Sequence, residues 1–182
     1  MPSNSVIEQL KSDIASIESR ATHPSRRKEK GVSEGSPDAF RKIVALVNAS
    51  DRSEKSLRER LARDEFPEQE IDDAVERARQ YGIIDDKRYA DVLIRSRLRQ
   101  GKGSAGIERE LREQGIEVDS VDGWPFEYGI DDESEYQRAI EFIESHPTKS
   151  KNRREGAYRK LVQKGYSTSV ASAAARTWSE RG

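Results

Sequence analysis

A stretch of helix-patterned sequence returns every fifty residues, and that period constrains this chain more than any other feature. LRERLARDEF (Leu57 to Phe66), IERELREQGI (Ile107 to Ile116) and AYRKLVQKGY (Ala157 to Tyr166) align without a gap. Leu57, Ile107 and Ala157 share one column, Leu61, Leu111 and Leu161 the next, and Phe66, Ile116 and Tyr166 a third. The first two columns are four residues apart, the spacing that puts side chains on one face of an α-helix. A second helical stripe precedes each copy: Phe40, Ile43, Val44 and Val47; then Tyr89, Val92, Leu93 and Ser96; then Tyr136, Ala139, Ile140 and Ile143. Helices recurring at such a period are the signature of an all-α repeat protein, whose units bury their apolar sides against their neighbours.

Capping residues and helix breakers divide the chain into four segments. Residues 1–35 hold Val6, Leu10, Ile14 and Ile17 at helical spacing, a thin stripe suited to pairing with a second copy or to remaining largely unfolded. Thr22 to Gly35, with Arg26, Arg27 and Lys28, reads as a flexible linker. In the first repeat, residues 36–84, Ser36-Pro37 opens a helix to about residue 48. Helices over 53–64 and 67–81 follow; the latter buries Ile71, Val75 and Ala78 and stops at Gly82. The second repeat, 85–130, begins with Asp85 and Asp86 as helix-start carboxylates, halts its first helix at Gly101 and Gly103, and caps its second with Ser104. Its third helix, near Val118 to Val121, should be short or broken by Gly123-Trp124-Pro125, with Trp124, Phe126 and Tyr128 filling the seam between units. The third repeat, 131–182, echoes the double carboxylate at Asp131-Asp132 and stops its first helix before Pro147. Its second helix spans 152–164, and Ser167 caps a last helix whose inner side is Val170, Ala174 and Trp178.

Only 33% of the residues are hydrophobic and 37% are charged, so several thin cores fit better than one deep one. The chain has no cysteine, which removes disulfide and thiolate chemistry. No apolar run approaches the roughly 20 residues of a membrane span, and no signal-peptide pattern opens the chain, so a cytoplasmic monomer is expected. The net charge of −1 conceals strong segregation. Lys87 to Arg112 holds eight basic and three acidic residues, and Lys149 to Lys164 seven and one. Glu113 to Glu144 holds eleven acidic residues against Arg138, and Asp64 to Glu76 seven with no basic residue. A partner responds to these local fields rather than to the net charge.

Nothing in the chain assembles a nucleophile with a base. His23 and His146 lack a second ligand at helical spacing, and the double carboxylates are explained by capping, so no metal, cofactor or catalytic residue is assigned. Gly101-Lys102-Gly103-Ser104 lacks the spacing of a phosphate-binding loop and follows a helix. What remains is binding. The candidate contacts are Lys87, Arg88, Arg95, Arg97, Arg99, Lys102, Arg109 and Arg112 in the second repeat, and Lys149, Lys151, Arg153, Arg154, Arg159, Lys160 and Lys164 in the third. Two basic runs at equivalent places in successive repeats suit a phosphate backbone or an acidic groove on a protein filament.

The stretch Ile83 to Ile116 resembles the RecX family, regulators of the bacterial RecA recombinase. The family pattern D-x-x-[FY]-A-x-x-[ILVF]-[IV]-x-[SD]-[RK] is met by Asp86, Tyr89, Ala90, Leu93, Ile94, Ser96 and Arg97. The likeness runs from about Asp38 to Trp178; it departs at Gly123 to Gly129 and at Glu65-Phe66, where the family often has Gly-Phe. The resemblance implies three tandem three-helix, helix-turn-helix-like repeats forming a curved, elongated solenoid. It also implies a protein that binds the RecA filament and mainly inhibits its ATPase and strand exchange in recombination and the SOS response. The alternatives are direct binding of single- and double-stranded DNA by the stacked modules, and a scaffold that dimerises through Val6 to Ile17.

Overall fold

The computed structural model describes residues 38–181, which form eight α-helices: α1 (Ala39–Ala49), α2 (Glu54–Arg63), α3 (Glu68–Gln80), α4 (Asp86–Arg99), α5 (Ser104–Glu113), α6 (Asp132–Ser145), α7 (Arg153–Lys164) and α8 (Thr168–Glu180). The stripe at Val6 to Ile17, the linker cations, His23 and Ser36-Pro37 lie outside the described residues. The first helix begins two residues later than expected: Asp38 is its cap, accepting the amide of Phe40 at 3.0 Å.

The three columns of the repeat are the floor of three separate cores. Leu57, Ile107, Ala157, Leu61, Leu111 and Leu161 have no exposed surface, and burying each leucine contributes about 2 kcal/mol. The third column closes each helix in the same way: the amides of Phe66, Ile116 and Tyr166 donate to the carbonyls of Leu61, Leu111 and Leu161, across Glu65, Gly115 and Gly165 in the left-handed conformation. The first core has ten buried residues, drawn from α1, α2 and α3 and ending with Ile84 beyond α3, and the last has ten from α6 to α8. The middle core has six, because its third helix is reduced to two 3-10 turns, Val118–Ser120 and Phe126–Tyr128. Val118, Val121, Trp124 and Tyr128 pack on this core in place of a helix.

Four details differ from the sequence reading. Val92 is 44% exposed, and the buried stripe of α4 is Ala90, Leu93 and Ile94. Val92, Leu93 and Ile94 are consecutive, so a helix turns one of them outward. Phe126 is 78% exposed, and Trp124 and Tyr128, on either side of it, pack on the middle core. Ser104 is the first residue of α5, and the position before it is Gly103, with ordinary φ. Gly103 is required for space, since a Cβ there would lie 2.5 Å from the carbonyl oxygen of Gly165. Finally, Asp85 caps α4 through the amide of Arg88, while Asp86 instead accepts the amide of Glu54 at 2.9 Å, at the start of α2.

Successive modules are joined by one recurring device. The first amide of the second helix in one module donates to a carboxylate on the first helix of the next: Glu54 to Asp86, and Ser104 to Glu135. Each carboxylate meets the positive end of a helix that has free amides there. Glu135 is 6% exposed and also accepts the hydroxyl of Ser104.

Candidate partner-binding surface

The fifteen candidate cations take four kinds of position. Arg97 and Lys102 converge on Glu110, each with a nitrogen 2.5 Å from a carboxylate oxygen. Their side chains are 31% and 25% exposed. Arg97 reaches across from α4, so this triad clamps α4 to α5. The Arg97 hydrogen bonds, seconded by Lys102, hold the Glu110 carboxyl down at about 2.

Five cations are answered by close neighbours. Lys87 meets Asp122 at 3.1 Å, Arg112 meets Glu108 at 3.4 Å, Arg159 meets Glu155 at 3.7 Å, and Lys160 donates to the carbonyl of Pro147 at 3.4 Å. Arg95 donates to Asp91 at 2.9 Å and lies 5.3 Å over the ring of Tyr128, whose hydroxyl donates to the same carboxylate at 3.1 Å. The Arg95 hydrogen bond holds the Asp91 carboxyl below its usual range. Exposed pairs of this kind are worth at most about 1 kcal/mol and yield readily to a partner.

Two cations rest on aromatic faces of the last module: Arg153 is 4.5 Å over Trp178, and Lys164 is 4.9 Å over Phe142. The remaining six, Arg88, Arg99, Arg109, Lys149, Lys151 and Arg154, are exposed with no side-chain partner among the described residues.

Arg88, Val92, Arg95 and Arg99 are spaced by four, three and four, so they form one outward stripe on α4. Val92 puts an apolar side chain in the middle of three arginines. The run of three apolar residues in a helix was the signal for it. A second basic feature is the loop between α6 and α7, which carries Lys149 and Lys151 and leads to Arg154. That loop is anchored: a Cβ on Gly156 would lie 2.5 Å from Thr148 Oγ1, so the loop passes directly over the first turn of α7. The amide of Ser150 donates to Thr148 Oγ1 at 3.2 Å.

Three of the four paired carboxylates, Asp85, Asp86 and Asp131, accept backbone amides. Asp131 accepts the amide of Ser134 at 2.7 Å in a reciprocal capping box, just as Asp85 and Asp86 serve helix starts. His146 ends α6 with its ring stacked 4.8 Å from that of Phe142. Among the described residues no group of three or more histidines and carboxylates could hold a metal ion, and no helix is long and apolar enough to cross a membrane.

Residues 39–77 match the family model for the first three-helix domain of RecX, and residues 85–122 match that for the second. A regulatory protein RecX of Haemophilus influenzae is 35% identical over 94 residues, covering 51% of this chain and 62% of the relative. One from Clostridium beijerinckii is 29% identical over 136 residues, covering 71% and 62%. The chain thus spans somewhat less than two thirds of these relatives. A crystal structure of RecX from Lactobacillus salivarius superposes with a TM-score of 0.60 at 18% identity, over 78% of this chain and 95% of that one. A second, of a regulatory protein RecX, gives 0.57 at 22% identity, over 72% and 67%. These two structures share the all-α fold of tandem three-helix modules. Carrying both RecX domains in order on that fold, the chain belongs to the RecX family.

Proposed function

We propose that this protein is a non-enzymatic regulator that binds the filament of the RecA recombinase and inhibits its ATP hydrolysis and strand exchange. Family membership supports the regulatory role. The outer stripe of α4 supports the mode of action: Arg88 and Arg99 stand free on either side of exposed Val92, while Arg97 and Lys102 are occupied inside the module. The stripe belongs to the matched second domain, and its mix of arginine and apolar side chain is the composition of a protein contact. Arg88, Arg95 and Arg99 are therefore the leading contacts, with Arg109 on α5 beside them in the chain order. Arg97 and Lys102 serve the contact indirectly, by fixing α4 against α5.

The experiment compares wild type with R88E/R99E for inhibition of RecA-driven ATP hydrolysis. The double variant changes two exposed, unpaired side chains, so its circular dichroism and melting temperature should match wild type. Inhibition should fall at least tenfold in potency. Undiminished inhibition removes α4 from the contact.

The free cations of the last module, Lys149, Lys151 and Arg154, favour a second reading in which the modules bind DNA directly. That reading expects tight binding to bare single- or double-stranded DNA, with log affinity falling steeply against log salt. Measuring both ligands at one near-physiological salt concentration separates the two.

A further inference from the structure

The Phe126 side chain packs on none of the three cores. It is 78% exposed, more than any other large apolar residue described, with Tyr81 at 47% and Val92 at 44%. The turn that carries it is nonetheless braced. Trp124 and Tyr128, two residues to either side, pack on the middle core with their ring centroids 5.9 Å apart. The amide of Glu127 donates to Gly123 at 2.8 Å, that of Gly129 to Phe126 at 2.9 Å, and that of Ile130 to Pro125 at 3.3 Å. Ile130, at the exit, is buried. An aromatic ring held outward on a fixed turn loses little conformational freedom on binding, the condition under which a single side chain contributes most to an interface.

The surroundings of the ring select the partner. The stretch from Glu117 to Tyr128 contains Glu117, Asp119, Asp122 and Glu127 and no basic residue. Lys87 answers Asp122; Glu117 and Asp119 are exposed with no side-chain partner among the described residues. These four carboxylates outnumber Lys87 and Arg95, the two cations of the adjoining cleft, so the field at the ring disfavours a phosphate backbone and base stacking on Phe126. It attracts a protein surface whose apolar pocket has a basic border. The turn also adjoins α4: Lys87, Asp91 and Arg95 of that helix and Val121, Asp122, Glu127 and Tyr128 line one cleft of about 240 Å³.

We propose that Phe126 is an apolar anchor that seats in a basic-bordered apolar pocket of a protein partner, making the turn 123–129 and the outer stripe of α4 one composite protein-binding surface. This rests on the filament reading above and adds to it the residue that carries most of the affinity and the chemistry of its receptor. Aromatic and arginine side chains side by side are the usual composition of such an energetic centre.

The test uses the full chain and measures affinity for the assembled RecA filament and, separately, for bare single-stranded DNA. F126A should lower filament affinity tenfold or more, F126W should stay within about threefold of wild type, and both should melt with wild type and bind bare DNA as wild type does. Unchanged filament affinity in F126A overturns the anchor. So does a parallel loss toward bare DNA, which would mean that the ring stacks on bases. If wild type binds the filament and R88E/R99E does not, while F126A matches wild type, the filament reading stands and the anchor falls. If wild type fails to bind the filament, both fall.

Discussion

The two joints between modules occupy equivalent places in the repeat yet are built from different materials. Where the first module meets the second, side chains reach across. Ser53 donates its hydroxyl to the Gln114 side chain at 2.7 Å, and Lys55 donates to the carbonyl of Glu113 at 2.9 Å while its methylenes lie beside Gly115. Fifty residues on, the same positions are Gly103 and Lys164, and there backbone meets backbone: the Gly103 amide donates to the Lys164 carbonyl at 3.3 Å and the Gly106 amide to the Gly165 carbonyl at 2.8 Å. Tyr166 adds its hydroxyl to the carbonyl of Gly101 at 3.0 Å, and burial pushes that phenol up to about 12. One template is thus closed at equivalent positions once by side chains and once by backbone against backbone. The first joint can give by rotating a lysine or a glutamine; the second cannot give without moving two helix ends.

That difference predicts the largest effect. G103A places a Cβ 2.5 Å from a carbonyl oxygen of Gly165, with only backbone to move, and should cost about 3 kcal/mol. Q114A, which removes the partner of Ser53 at the first joint, loses one hydrogen bond from a half-buried side chain and should cost about 1 kcal/mol. Urea unfolding with unchanged slope gives both values as shifts in midpoint. Equal costs for the two substitutions would erase the distinction between the joints.

How far the sequence discloses this follows from the range of each signal. The columns at Leu57, Ile107 and Ala157 and at Leu61, Leu111 and Leu161 disclose the repeat, because helical spacing is local. Gly101 is read correctly as a helix terminator, since φ of +69° is a property of its own backbone. Gly103 looks the same in sequence but exists for Gly165, more than sixty residues away, and no local pattern discloses such a neighbour. Ser104 misleads for the same reason: a serine beside a helix start suggests a cap, and the carboxylate that serves that amide is Glu135, on α6. On the candidate surface, the basic run of α4 is evident from composition, but its division into free Arg88 and Arg99 and clamped Arg97 depends on Glu110 thirteen residues beyond Arg97. Phe126 and Trp124 are both aromatics in one broken helix. Which one faces inward is decided by the middle core, not by their own spacing.

The helix ends that face the joints offer a smaller effect of opposite sign. Gly115 and Gly165 each combine a positive φ with a neighbour from the preceding module. Glu65, in the same column, has φ of +63° and is exposed, so the left-handed backbone is its only constraint and a side chain fits. The conformation still costs a non-glycine residue about 1–2 kcal/mol, of which the greater freedom of glycine in the unfolded chain returns part. E65G should therefore stabilise the protein by about 0.5–1 kcal/mol, read as a higher urea midpoint. A loss would mean that the Glu65 side chain contributes more than its exposure indicates.

The smallest expected effect lies at the carboxylate of the first joint. Burial raises the Asp86 carboxyl above its ordinary 3.8, outweighing the Glu54 amide it accepts, and the Glu54 carboxylate raises it further. A group whose pKa is higher in the folded than in the unfolded protein contributes stability that is complete below the unfolded value and is lost as pH rises through the folded one. At neutral pH the ionised Asp86 therefore carries a burial cost that an amide would not. D86N keeps an oxygen for the Glu54 amide and removes the charge, so it should raise stability at pH 7 by less than about 1 kcal/mol, and the gain should vanish near pH 3, where wild type is protonated. Urea midpoints of the two proteins at both pH values measure this. A D86N protein less stable than wild type at pH 7 would mean that the attraction between a full charge and the start of α2 exceeds the cost of burying it, and the first joint would then depend on ionic capping and not on the reach of its side chains.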